Sequence, residues 1–226
     1  MSQANDAGYV FEGVPLEPVS EGTNILVTGP SLGGLRQLLL ELLAGPSEEG
    51  ILLVAADVSA TEAVGDFKAI GGNVDPSRMC LIDCAQDSSE SESEQIHGVA
   101  TPADLTGIGM SFSQLYEQLH ASGTARVRTG LYTLGPLLMY ADDIRPVYRF
   151  LHTVTGRIQS VDGLGVCAVD PAAQDERTIK SVAQTFDGQV ELRERDGTHQ
   201  IRSHGLSGQP DGWHSVDING TARSRQ

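Results

Sequence analysis

The chain has 226 residues, 39 % hydrophobic and 5 % aromatic, enough for one domain whose core rests on Leu, Val, Ile and Ala. Its 30 Asp and Glu outnumber 15 Lys and Arg, for a formal net charge of −15, which argues against a nucleic-acid groove because phosphate neutralisation needs clustered cations. No apolar run reaches the ~20 residues of a membrane span, and the start "MSQANDAGYVFEGVP" lacks the basic end and apolar stretch of a signal peptide, so a cytoplasmic protein with no membrane partner is expected.

Residues 1–20 read as loosely ordered, with the apolar residues of "YVFEGVPL" available to lie across a domain that spans 21–206. Strands are expected at 24–28, 50–56, 79–83, 125–133 and 163–170, several of them continuous apolar runs of the kind covered on both faces. Helices are expected near 34–44, 60–70, 111–121, 136–142, 144–161 and 175–184. Strands alternating with helices imply right-handed crossovers and an α/β fold with a mainly parallel sheet. The segment "FDGQVELRERDGTHQIRSHGL" alternates apolar and polar residues about a central "DG", the pattern of an antiparallel hairpin at the sheet edge. Two stretches fall outside this pattern: the acidic, Ser-rich loop 84–95, and the turn-rich tail 207–226, expected to be flexible with Trp213 as its one large anchor.

Cys80, Cys84 and Cys167 form no C-x-x-C pair and read as buried thiols of a reducing compartment. Lysine occurs only at Lys68 and Lys180. A lysine-poor, carboxylate-rich surface resembles haloarchaeal proteins, whose like charges are screened over a few Å in concentrated salt.

The stretch "NILVTGPSLGGLRQLLLELL", residues 24–43, runs from a buried strand through glycines into an apolar-periodic helix, as a phosphate-binding loop does. Against the pattern G-x-x-x-x-G-K-[ST], Gly29 and Gly34 hold the glycine positions, Leu35 stands at the lysine, and Arg36 at the Mg²⁺-binding hydroxyl. Gly29, Pro30, Ser31, Gly33, Gly34, Leu35 and Arg36 are therefore the candidate site, in which glycines permit a tight turn with or without a ligand, and backbone N–H groups retain some anion affinity.

With "ILVTGPSLGG", "PADLTGIGMSFSQ" (102–114), "TLGPLLMYADDIRPVYRFLHTVTGRI" (133–158), "GLGVCAVDP" (163–171) and "FDGQVELRE" (186–194) in this order, the chain resembles the RecA-superfamily P-loop ATPases, in their KaiC/GvpD-like branch, and within it a haloarchaeal degenerate group. The resemblance implies a RecA-like three-layer sandwich with nucleotide beyond the strand ends. It also places Tyr132 where an active member carries the Mg²⁺-binding aspartate of Walker B. Phosphoryl transfer rests on positioning and electrostatic stabilisation, and Leu35, Arg36 and Tyr132 replace three of its parts.

Arg36 either presents a cation near the former Mg²⁺ position or pairs with a neighbouring carboxylate. Asp57, at a strand end, is a weak candidate general base and equally a helix cap, with Ser59 and Thr61 beside it. The histidines show no H-x-x-x-H spacing, so no metal site is expected, and His152 reads as helix packing. Helix 144–161 carries Ile144, Val147, Phe150, Leu151, Val154, Ile158 and Val161 on one stripe, with Arg145, Arg149 and Arg157 on its polar side for a partner's acidic patch or the chain's own carboxylates. The apolar run "LGPLLMY" reads as core or interface.

The function expected is a non-catalytic regulatory or scaffolding module, with a protein partner or a homo-oligomer, no nucleic acid, and no required cofactor, ATP and Mg²⁺ binding weakly if at all. The alternative is a weak nucleotide-binding protein or ATPase that completes its site at a subunit interface.

Overall fold

In the computed structural model, residues 8–72, 75, 77–84, 93–141 and 143–218 are described. Their strands are β1 (Asn24–Thr28), β2 (Gly50–Ala55), β3 (Met79–Asp83), β4 (Ile96–Gly98), β5 (Val127–Tyr132), β6 (Leu164–Val169), β7 (Gly188–Arg195), β8 (Thr198–His204) and β9 (His214–Ser215). The helices are α1 (Leu35–Leu43), α2 (Ala60–Ala69), α3 (Leu105–Ala121), α4 (Gly135–Met139), α5 (Ile144–Ser160) and α6 (Glu176–Ala183).

One sheet of order β4-β3-β2-β5-β6-β1-β7-β8-β9 joins all nine strands. It is parallel from β4 to β7 and antiparallel from β7 to β9. Successive side chains of a strand leave opposite faces. Ile25 and Val27 accordingly join the layer of α1 and α2, and Leu26 the layer of α3, α4 and α5; Ile51 and Leu53 divide from Leu52 and Val54 in the same way. This double coverage is why the runs are apolar throughout, and the expected three-layer α/β class with its C-terminal hairpin holds.

Local chemistry sets the helix starts. Ser59, Asp104, Asp143 and Asp175 each accept a backbone N–H in the first turn of α2, α3, α5 and α6. The Asp104 cap starts α3 six residues before the expected Ser111, despite the intervening glycines. The hairpin turns at Asp196 and Gly197, with φ of 52° and 71°, the left-handed pair that suits a two-residue turn.

Three features go beyond these expectations. Strand β4 was not foreseen; its three half-buried residues carry too short a pattern. Within the segment assigned to loose order, Tyr9, Phe11, Val14 and Val19 are buried, and Tyr9 pairs with Val19 in a β-bridge. Part of the expected flexible tail is docked: β9 pairs with β8, and Val216 and Ile218 are buried. Residues 85–92 of the acidic loop, 1–7 and 219–226 lie outside the described residues.

The N-terminal arm is held by a buried charge. Arg128 of β5 is fully buried and donates to Glu49 at 2.5 Å and to the carbonyls of Leu42 and Val10 at 2.9 Å each. Arg126 lies over the Tyr9 ring at 4.3 Å from its centroid. No described helix is long and apolar enough to cross a membrane.

Candidate functional site

The glycine loop leaves the carboxyl end of β1, where open α/β sheets place ligands. Gly33 donates its N–H to Pro30 O at 2.9 Å, and Gly34 takes φ 86°, a left-handed conformation that favours glycine, before α1 begins. At Gly29 a Cβ would stand 2.8 Å from Leu192 Cβ, so close packing on β7 is reason enough for that glycine. Leu35 is fully buried in the α1 layer, whereas Leu32 at the loop tip is wholly exposed. Helix α1 has neither a side-chain cap nor an acidic residue in its first turn.

Arg36 is paired. Its Nη2 donates to Asp57 Oδ2 at 2.6 Å, the oxygen that also accepts from Thr133 Oγ1 at 3.0 Å, and its guanidinium lies 5.4 Å from the Tyr132 ring centroid. Burial works against this cation, but the bond to Asp57 outweighs it and raises the Arg36 pKa above the ordinary value. Asp57 is thus committed to Arg36 and Thr133, while Ser59 caps α2. Tyr132 is fully buried and donates to Asp66 Oδ2 at 2.5 Å; burial first, then that bond, pushes the phenol pKa far up, so it stays neutral.

The rest of the loop meets the chain's own groups. Asp170, at the end of β6, accepts the Ser31 N–H at 2.8 Å and the Ala172 N–H at 2.8 Å. Burial opposes its ionisation, yet these donors hold the carboxyl below its usual range. On the other side a Cβ at Gly34 would collide with Ile218, which the tail brings down beside His199. The tail is anchored by Val216 N–H on His199 O at 3.0 Å, and at Trp213 by the guanidinium groups of Arg193 and Arg202, 3.8 and 4.7 Å from the ring centroid.

Between these groups lies a cleft of about 680 Å³, walled by the loop from Ser31 to Arg36, by Asp57, Asp66 and Tyr132, and by Glu194, His199 and Ile218. Among the described lining residues, three carboxylates face one guanidinium that already has a partner. The hydroxyl of Thr133 and the carboxylate of Asp57 both line this cleft, bonded to each other and, through Asp57, to Arg36. Among the described residues no His, Cys, Asp and Glu group is spaced to hold a metal ion. The cysteines are buried and free, and burial pushes the Cys80 thiol to about 11 and Cys84 to about 12, so they are poor nucleophiles. His152 stands against Tyr148, ring centroids 6.4 Å apart.

Sequence reasoning assembled the loop but missed Asp66, Asp170, Glu194, His199 and Ile218. Asp170 had a readable signal, an acid ending an apolar parallel strand; the others come together only through the sheet.

Comparison with known proteins bears on the fold and the family. A KaiC-like protein, PH0186, from the hyperthermophilic archaeon Pyrococcus horikoshii OT3 superposes with a TM-score of 0.72, covering 96 % of this chain and 97 % of that one at 12 % identity, a likeness of fold. No curated protein matches the chain. The family model described as a family of unknown function, DUF7504, matches residues 22–192, from the strand before the glycine loop through most of β7, and the chain belongs to that family.

Proposed function

We propose that this chain is a non-catalytic regulatory or scaffolding module built on a RecA/KaiC-like fold, with a degenerate nucleotide site. The observation that carries the reading is the pairing of Arg36 with Asp57 at 2.6 Å: among the described residues, the guanidinium at the former phosphate and Mg²⁺ position is neutralised by the chain's own carboxylate. Asp170 on the Ser31 N–H and Ile218 against Gly34 support it, since both stand where a phosphate group would be expected to meet the loop. Leu35 in the core and a neutral, buried Tyr132 supply neither charge that phosphoryl transfer needs.

In this reading the module works by association, with itself or with a protein partner. The excess of 30 acids over 15 bases is taken as adaptation to concentrated salt, in the cytoplasm of a haloarchaeon. The arginine face of α5 is largely answered internally: Arg145 lies 3.7 Å from Asp143, and Arg157 3.7 Å from Glu117. Exposed Met139 and Tyr140, at the end of "LGPLLMY", remain as apolar contact points.

The test is to purify the protein in concentrated KCl, denature it, and chromatograph the released small molecules, with light scattering of the native sample alongside. The reading expects no stoichiometric nucleotide and a particle larger than one chain. Nucleotide at one per chain would replace it with the interface-completed ATPase.

A further inference from the structure

On the sheet face covered by α3 and α5, Asn24 of β1 pairs in register with Gly165 of β6, and Gly165 with Thr129 of β5. Paired residues of parallel strands share a face, so two polar side chains flank a position with none, their backbones about 10 Å apart. Both are buried, Asn24 at 3 % and Thr129 at 4 % exposure. The Asn24 amide has a fixed orientation, because its Nδ2 donates to Gly22 O at 3.2 Å and Thr155 O at 3.3 Å. Its Oδ1 therefore stands over Gly165, where a Cβ would collide with it, and neither this oxygen nor Thr129 Oγ1 has a hydrogen-bond partner among the described groups. A cavity of about 30 Å³ opens beside them, otherwise lined mainly by Phe112, Phe150, Leu151 and Ile158.

We infer that this cavity is a binding site for one internal water molecule that bridges Asn24 Oδ1 and Thr129 Oγ1 across Gly165. The occupant must donate to an amide oxygen and exchange a hydrogen bond with a hydroxyl; water does both, whereas an apolar molecule does neither. The space exceeds the roughly 10 to 15 Å³ that a cavity needs to admit a water. The water links the strand that leads to the glycine loop with the strand that leads to Tyr132, at the end of the sheet away from the cleft. Glycine at 165 leaves room for this arrangement, since a Cβ there would collide with Asn24 Oδ1.

The sign of one substitution tests this. Thr129→Val keeps shape and β-branching and removes only the hydroxyl. If the hydroxyl were buried dry, its loss would relieve a desolvated group and stabilise the fold; if water bridges it, the loss strands the water and Asn24 Oδ1, and the folding equilibrium constant falls about tenfold. Denaturant unfolding of the full chain reads the sign, and a high-resolution crystal structure of the unsubstituted protein reads the solvent. The inference expects destabilisation with density in contact with both oxygens. A more stable Thr129→Val chain, or a dry cavity in the map, overturns it.

Discussion

Substituting Glu49→Gln takes the carboxylate away from Arg128 and leaves a cation with a fully buried side chain. Arg128 keeps the carbonyls of Leu42 and Val10 and the Tyr9 and Phe11 ring faces, so it is not wholly orphaned, but the carboxylate that offsets its charge is gone. Breaking a buried pair by removing one partner costs about 3 to 5 kcal/mol; the surviving carbonyls, and a Gln oxygen that still accepts, place this case at about 3. For a chain of this size about 3 kcal/mol lowers Tm by roughly 6 to 12 °C. Part of the loss arises in the N-terminal arm, since Arg128 bonds Val10 and lies 5.3 Å from the Tyr9 ring centroid, so Tyr9 and Phe11 should loosen with it. Denaturant unfolding in concentrated KCl is the assay, because salt screens a buried pair far less than a surface one. Adding Arg128→Met should recover most of the stability, by replacing a stranded charge with an apolar side chain of similar length. A cost under about 1 kcal/mol for Glu49→Gln would refute the reasoning, by showing the site to be wetter than its burial implies.

Ile218→Ala should cost about 2 kcal/mol in denaturant unfolding, as for a packed aliphatic side chain, whereas a change within about 0.5 kcal/mol would mean that the tail does not dock. Arg193→Ala should red-shift the emission of the sole tryptophan, Trp213, and an unchanged spectrum would contradict the contact. The Asp170 carboxyl is held below its usual range, so its stabilisation is complete above the unfolded-state pKa and lost as pH falls through the lowered value; Asp170→Asn should flatten that acid limb, and an unaltered limb in pH-dependent unfolding would count against the Ser31 contact. Melting followed by circular dichroism should show Tm falling as KCl is diluted from molar to about 0.1 M, because repulsion among the carboxylates lengthens its range; a flat or rising Tm would contradict the salt adaptation.

The buried centre of the sheet was legible because its signal is local. Each of β1, β2, β3, β5 and β6 is buried along its whole length, and in several of them, β2 and β6 most plainly, the sequence shows this as a continuous apolar run. The hairpin was legible from Asp196 and Gly197 between alternating flanks. What escaped depends on partners remote in the chain: Tyr9 donates to the carbonyl of Asp162, and Ser31 to Asp170, separations of 153 and 139 residues that no periodicity encodes. The site divides the same way. Leu35 and Tyr132 could be set against the lysine and Walker B positions of the P-loop pattern from the sequence, and pairing of Arg36 was one of two readings weighed. That its partner is Asp57, and that Ile218 returns to Gly34, follows only once β1, β2 and β8 share a sheet.

Calorimetric titration of the full chain with MgATP in molar KCl tests the central claim most directly. With Arg36 held by Asp57, Ser31 by Asp170 and Gly34 covered by Ile218, the account expects no saturable heat at micromolar nucleotide. A dissociation constant below about 10 μM, equivalent to roughly −7 kcal/mol, would contradict it.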